Sequence, residues 1–384
     1  MADGAALEMP CTLKVPWVQI PPSPPFFPQG RSEPCDTPVR LMRVSIIIPT
    51  LNSAATLAEC LEAIREQDWP REELEIIVAD AGSTDATLEL ARKFGVDKIV
   101  PNPLKTGEAG KSAAVRNASG ELLALIDSDN ILPSPDWLRV MAAPFVDPEV
   151  IAAEPFEYTA RDSDPATTRY FARLGMNDPL CLFIGNYDRV CAVTGKWTEL
   201  PVECEDMGGW LKLRLDSARP LPTIGANGFI IRKSALAGVA WEPYWFDVDI
   251  VRDAAALSPS GTVCVAKVRC GIVHVYCATL ADFARKQKRR VRDFLYFSPN
   301  RSAAKPARGA RRMLVRGILR FVAATLLWFP LALQARRGNA ASPDREAWRL
   351  HAAACRITLR TYALGVVGKI FGRNKPADRS AWKQ

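Results

Sequence analysis

The sequence predicts an α/β fold: a doubly wound, mostly parallel sheet with helices on both faces, followed by a C-terminal helical region that is both basic and apolar. Three observations carry this reading. Short β-branched runs alternate with stretches of helical periodicity across residues 43–130, and a polar cluster directly follows most of these runs. The charge of the 384-residue chain is also divided between its ends. Residues 285–384 hold 24 Lys and Arg against 4 acidic residues, a net of +20, which leaves residues 1–284 at −12 within an overall +8. Such asymmetry marks a basic tail that meets a polyanion.

Residues 1–41 form the first unit. Nine of the 30 prolines lie in the first 40 positions, including the run "IPPSPPFFP" at 20–28. This composition cannot bury a core and is expected to be extended or disordered. It lacks the continuous apolar region of a signal peptide. Met42, directly before the first strand, is the more natural start, and 1–41 is read as functionally silent. Residues 42–298 are expected to form the α/β domain, and residues 299–384 the basic, apolar helical region.

Within the domain, "RVSIIIPTLN" (43–52) is a strand closed by Pro49 and a polar turn. "AATLAECLEAIREQ" (54–67) then places Leu57, Cys60, Leu61 and Ile64 at helical spacing. "LEIIVADAGSTDATLELARKF" (74–94) repeats strand, Gly-containing turn and helix. "KIVPNP" is a third short strand, 110–118 a further helix, and "ELLALIDSDN" a fourth strand. Thr50 and Asn52 end the first strand, Asp80 the second, and Asp127 and Asp129 the fourth, so a parallel sheet would gather them on one edge. Two carboxylates one residue apart repel unless a positive charge lies between them, and a divalent cation answers that.

Other chemistries are disfavoured. The stretch "TGEAGKSAA" is no Walker loop, because Gly107 and Gly110 are separated by two residues where the motif needs four. Lys111 and Arg116 are candidate phosphate contacts near a helix start, or members of a solvated helix face. The ten cysteines contain no CxxC pair and there are only two histidines, so a Cys/His zinc site is not expected. Reduced, buried thiols in a cytosolic protein fit better.

At these residues a family becomes recognisable. "SIIIPTLN", "IIVADAGSTDAT" and "GELLALIDSDN" resemble the three opening motifs of the family 2 inverting glycosyltransferases of GT-A fold, over residues 43–136 with weaker echoes to 297. The resemblance implies that Asp80 binds the base or ribose of a nucleotide-sugar donor, with Pro49, Thr50 and Asn52 lining that pocket. Many relatives carry a second acidic residue where this chain has Ala81. Asp127 and Asp129 match the DxD element that holds Mn²⁺ or Mg²⁺ on the donor diphosphate, and carboxylate oxygens suit such hard cations.

"PTIGANGFIIRKSAL" (222–236) resembles the segment that cradles the donor sugar, which adds Asn227 to the donor contacts. "WFDVDIV" (245–251) sits where relatives carry Glu-Asp-x-Asp-Leu, whose first Asp is the catalytic base. That is Asp247 here, with Asp249 on the acceptor side and Phe246 in place of the Glu. A helix-start role for both aspartates, and the competing pair Glu205 and Asp206, remain open. His274 matches a third metal ligand of some relatives, or is a structural residue at a strand end. Gln287-x-x-Arg290-Val291 is similar to the Gln-x-x-Arg-Trp motif, with Val for Trp, and would place Gln287 and Arg290 in the acceptor region; a basic surface helix explains the run equally.

Residues 285–316 contain 12 basic residues and one acid, Asp293, and lead into 13 apolar residues at 321–333. As a helix these reach about 20 Å, short of the roughly 30 Å hydrocarbon core. Extension to Met313 would require Arg316 and Arg320 to snorkel, and Pro330 would kink the helix. Residues 348–371 carry Arg349, Arg356 and Arg360 at spacings of seven and four, hence on one face of an amphipathic helix, and Lys369. For 318–335 and 348–371, interfacial helices or a short hairpin fit better than orthodox spans. The adjoining apolar segments favour an anionic lipid surface over nucleic acid.

The expectation is a metal-dependent inverting glycosyltransferase at the cytoplasmic face of the cell membrane, acting on a membrane-presented acceptor such as a lipid-linked glycan or polyprenyl phosphate. Its rivals are a sugar nucleotidylyltransferase, which would show a Gly-rich loop with Arg and Lys after the first strand, and an inactive membrane adaptor retaining the fold. "PTLNSAATL" lacks that loop chemistry, and the intact Asp127 and Asp129 speak against inactivity.

Overall fold

A computed structural model describes residues 42–297 and 309–371. The expectations for residues 1–41 and for the boundary at 298 lie outside these. The first unit runs β1 (Val44–Thr50), α1 (Ala54–Arg65), β2 (Leu74–Asp80), α2 (Thr87–Lys93), β3 (Lys98–Pro101), α3 (Gly107–Asn117) and β4 (Leu122–Leu125). β1 is buried along its whole length, as a strand covered on both faces must be. Its alternation sends Val44, Ile46 and Ile48 into one core with Leu57, Leu61 and Ile64 of α1. Ile47 enters a second core with Ala114 and Val115 of α3. These two cores are the physical content of double winding.

The second unit contains β5 (Asn130–Ile131), α4 (Trp137–Ala142), β6 (Val150–Thr159), α5 (Ala166–Leu174), α6 (Leu180–Ile184), β7 (Asn186–Cys191), β8 (Lys196–Thr198), β9 (Glu203–Asp206) and β10 (Trp210–Asp216). β11 (Phe229–Arg232), α7 (Asp247–Leu257), β12 (Thr262–His274) and α8 (Leu280–Phe297) complete it. The main sheet has the order β3-β2-β1-β4-β11-β6-β12-β10-β9, with β5 on β12 and a separate β7-β8 pair. β1 to β4, β6, β9 and β12 run one way; β10, β11 and β5 run against them. The parallel expectation therefore holds without interruption only across β1 to β4. Inserting β11 between β4 and β6 makes the remainder mixed. The eight cysteines among the described residues are all free.

Four helices follow: α9 (Ala310–Leu327), α10 (Phe329–Ala341), α11 (Arg345–Trp348) and α12 (His351–Ile370). Polar contacts dock them on the α/β domain. Asp344 receives Arg169 at 2.7 Å and Arg173 at 3.1 Å. The Tyr170 hydroxyl lies 2.8 Å from His351 Nδ1, and His351 Nε2 lies 3.0 Å from Gln334. Burial pushes the His351 imidazole down to about 4, so it packs as the neutral ring.

No single described helix is long and apolar enough to cross a membrane; α9 and α10 reach that length only as a pair bent by 98°. The break falls at Trp328, whose φ is +53°, rather than as a kink at Pro330. Pro330 sits in the first turn of α10, where its missing N–H costs no helical bond. The expected amphipathicity of 348–371 is not observed. Arg349 precedes α12, and on α12 itself Arg356 and Arg360 are exposed together with Leu364, Val366, Val367 and Ile370.

Asp344→Ala removes the anion that Arg173 faces and leaves Arg169 with only the exposed Glu346, at 2.7 Å. Chemical denaturation should show a loss of about 1–3 kcal/mol; an unchanged midpoint would place the docking energy elsewhere.

Candidate active site

The ends of β1, β2 and β4 meet at one rim. Ile47 accepts the Ile126 N–H at 3.1 Å, so alternation points the Pro49 nitrogen toward the same neighbour, beyond the last β1–β4 pair at Ile47 and Leu125. Proline therefore sits inside β1 with no ladder bond lost. Thr50 donates to Asp80 Oδ1 at 3.0 Å, and Asp80 Oδ2 accepts the Gly82 and Ser83 N–H groups, each at 2.9 Å. Asn52, with φ of +50°, accepts Thr84 N–H at 2.8 Å and clasps the loop that follows Asp80. Beside Asp80 lies a cavity of about 400 Å³ lined by Gly82, Leu88, Val100, Asn102 and Lys105. Asn102 and Lys105 were not singled out from the sequence. Their signal was the turn "NPLK" after a third parallel strand end.

Asp127 and Asp129 follow β4 in a turn closed by Asn130, whose side chain accepts the Asp127 N–H at 3.0 Å. Lys111, on the buried face of α3, lies 3.0 Å from Asp247 and 3.6 Å from Asp127. Asp247 opens α7. The β5–β12 bridge sets His274 opposite Asn130, which brings its Nε2 to 3.5 Å from Asp129 Oδ1. Lys286 of α8 lies 3.5 Å from Asp129 Oδ2.

The electrostatics follow from these neighbours. Burial raises the Asp247 carboxyl to about 7; Lys111 opposes this and Asp127 adds to it. Burial also disfavours the Lys111 cation, but Asp127 and then Asp247 outweigh it and hold the proton on. Burial would likewise raise Asp129, yet His274 and then Lys286 hold it well below the usual carboxylate range.

Opposite this cluster a glycine cradle presses on Asp247. Gly225 has φ of +133°, and a Cβ there would lie 2.1 Å from the Asp247 carbonyl oxygen. The cradle is held by three fully buried charges that were not identified from the sequence. Glu154 accepts Gly225 N–H and Arg189 at 3.0 Å each and Lys267 at 2.6 Å. Arg189 donates to the carbonyls of Ala226 at 2.7 Å and Asn227 at 2.8 Å. Burial pushes Lys267 down to about 8, with Glu154 opposing. No local motif marks these residues; they come from three separate strands.

Residues 45–191 match the family model "Glycosyl transferase family 2". The chain carries a family 2 glycosyl transferase domain. It is 33% identical over 101 residues to glycosyltransferase AglE of Haloferax volcanii, covering 25% of this chain and 33% of that protein. It is also 33% identical over 102 residues to a dolichyl N-acetyl-alpha-D-glucosaminyl phosphate 3-beta-D-2,3-diacetamido-2,3-dideoxy-beta-D-glucuronosyltransferase of Methanococcus voltae, covering 25% of this chain and 32% of that protein. The matched stretch thus spans about a third of the length of these relatives. Among solved structures, a mannosyltransferase of Pyrobaculum calidifontis in complex with GDP-Man and Mn²⁺ is 18% identical with a TM-score of 0.47, covering 86% of this chain and 88% of that one.

The matched stretch of the glycosyl transferase domain includes Pro49, Thr50, Asn52, Asp80, Lys111, Asp127 and Asp129, whereas Asp247 and His274 lie beyond it. Five predicted residues are placed apart from the cluster. Arg116, five positions after Lys111, points off the other side of α3 to Glu242 at 2.7 Å. Asn227 is buried with its amide spent on Tyr158 at 2.9 Å and Asn130 at 3.1 Å, which makes it a strut of the cradle. Asp249 is buried against Arg252 at 2.7 Å. Gln287 is fully buried and donates to Thr358 of α12 at 3.2 Å, so it ties the C-terminal helices to α8. Arg290 faces the Asn177 carbonyl at 3.3 Å and Asp178 at 3.9 Å. The competing pair Glu205 and Asp206 lies on edge strand β9, where Asp206 pairs with Arg269.

Gly225→Ala should displace Asp247 and lower turnover by about 100-fold, with donor affinity little changed. Kinetics that match the unaltered protein would show that the cradle does not position Asp247.

Proposed function

We propose that this domain transfers a sugar from a nucleotide diphosphate donor to an acceptor presented at a membrane, with inversion at the anomeric carbon. The observation that carries the proposal is the gathering of Asp127, Asp129 and Asp247 around Lys111, His274 and Lys286, next to a cavity of nucleoside size beside Asp80. Support for a lipid-linked acceptor comes from the name of the Methanococcus relative and from the cationic, apolar C-terminal helices. They also support attachment to the cytoplasmic face of the cell membrane.

The roles follow from placement. The cavity takes the base and ribose, with Asp80 already holding the loop that shapes it. The donor set at the rim fits a hard divalent cation, because two carboxylates stand in one tight turn with an imidazole 3.5 Å from the second. Among the described residues no group of three His, Cys, Asp or Glu stands assembled around one point, so oxygens of the diphosphate would complete the coordination. Asp127 and Asp129, with His274 alongside, would hold Mn²⁺ or Mg²⁺, and the chemistry supplied there would be neutralisation of charge on the leaving diphosphate.

Asp247 takes the proton from the acceptor hydroxyl as that oxygen attacks from the face opposite the leaving group. A carboxyl raised to about 7 is matched to that task near neutral pH. Lys111 keeps Asp127 and Asp247 close without a large repulsive cost.

Asp129→Asn should abolish metal-dependent donor turnover while leaving the thermal melt within a few degrees; retained turnover would overturn the rim assignment. Asp247→Asn should lower turnover far more than donor affinity. Because Asp247 must be ionised to act and its carboxyl is raised to about 7, kcat/KM should fall as pH drops through 7. A profile flat from pH 5 to 8 would remove Asp247 as the base.

A further inference from the structure

Arg356 and Arg360 stand one turn apart on α12, and both are exposed. With Thr325 and Leu326 at the end of α9, Trp328 at the helix break and Leu359 of α12, they line an open groove of about 450 Å³. Leu326 is 73% exposed and Trp328 64%. Among the described residues, 14 of the 19 exposed large apolar side chains belong to residues 314–371. The same helices α9, α10 and α12 contain no Asp or Glu at all. Apolar surface and unneutralised cations are thus concentrated together.

This combination selects the occupant. A nucleic acid would satisfy the guanidinium groups and leave leucine and tryptophan in water. An apolar protein surface would cover those side chains and bury the arginines without an anion, at a cost. An anionic phospholipid satisfies both. Its phosphate accepts the planar donor forks of two arginines, its acyl chains cover the apolar side chains, and an indole settles at headgroup level.

We propose that the groove is a binding site for the phosphate of an anionic phospholipid in a bilayer. Arg356 and Arg360 grip the phosphate, Trp328 lies at the interface, and Leu326 and Leu327 enter the acyl layer. The bend between α9 and α10 exposes Trp328 where a straight helix would have continued. This inference rests on the reading that the domain works at a membrane, and it adds a defined headgroup site to the diffuse attraction of a basic tail.

The test is co-sedimentation of the full chain with vesicles of phosphatidylcholine alone and of phosphatidylcholine with one-fifth phosphatidylglycerol. The unaltered protein should bind the second preparation far more tightly. Arg356→Ala with Arg360→Ala should weaken that binding by well over the roughly 20- to 30-fold that two arginines contribute through diffuse attraction to an anionic surface, at about fivefold each. Arg311→Ala with Arg312→Ala, which removes the same charge from the exposed start of α9, should weaken it several-fold less. Arg356→Lys with Arg360→Lys keeps the charge but not the forked donors, and should still lose part of the phosphatidylglycerol preference.

Equal binding to the two vesicle types, or equal losses from the two alanine pairs, would overturn the site. Donor hydrolysis by the same preparation without vesicles reports on glycosyl transfer separately. A protein that hydrolyses donor yet ignores phosphatidylglycerol overturns the lipid site alone. One that pellets with phosphatidylglycerol yet never hydrolyses any donor overturns glycosyl transfer alone.

Discussion

Three carboxylates at one sheet rim can share a site only because cations are interleaved with them. Two like charges about 4 Å apart cost about 4 kcal/mol at the effective dielectric of a protein surface, a large fraction of the stability of an ordinary domain. Lys111 offsets part of that cost between Asp127 and Asp247, whose carboxyl Asp127 still pushes up, and Lys286 offsets it at Asp129, with the His274 imidazole 3.5 Å away. Lys111 is itself buried with only 5% of its side chain exposed, so it stays in place when a ligand arrives. A divalent cation with a diphosphate adds nearly balanced charge to a rim that is already nearly balanced.

The fold explains why these groups meet. Parallel strands β1, β2 and β4 deliver Thr50, Asp80 and Asp127 to a common edge, and hydrogen bonds of Asn52 to Thr84 and of Ser128 to Ser53 then tie the loops that follow them together. The remainder comes from the mixed half of the sheet. Two residues of β5 suffice to register His274 beside Asp129, and Gly225 admits Asp247 only because it has no side chain. Behind Gly225 stands a buried ionic network of Glu154, Arg189 and Lys267. Such networks are stabilised weakly at best relative to apolar packing, while breaking one costs about 3–5 kcal/mol. Their value here is geometric: Glu154 and Arg189 together fix three consecutive backbone positions of the cradle.

Legibility in the sequence follows the range of the interaction. β1 to β4 and their helices could be read because each is a local pattern, a β-branched run or a helical period, and because polar residues end the strands abruptly. Asp80, Asp127 and Asp129 could be placed on one edge from those patterns alone. Asp247 and His274 needed the family resemblance, and their distances to Lys111 and Asp129 depend on pairings across more than 100 residues. Glu154, Arg189 and Lys267 were invisible because an isolated charge within an apolar strand looks the same whether it is buried or solvated. Gln287 and Asn227 were misplaced for the converse reason: motif position does not report which way a side chain turns, and both turn inward. The amphipathic reading of 348–371 assumed that arginines and apolar residues oppose each other, whereas on α12 they share the outward surface.

Charge balance around a cation-bound diphosphate is tested most directly by calorimetric titration of UDP, GDP and dTDP into the protein, with Mn²⁺ present and then with EDTA. At least one nucleotide should bind in the presence of Mn²⁺ and lose most of its affinity in EDTA, with the loss absent from an Asp127→Asn variant that already binds weakly. Equal affinity for every nucleotide with and without the metal would contradict a rim built to hold a cation against a diphosphate.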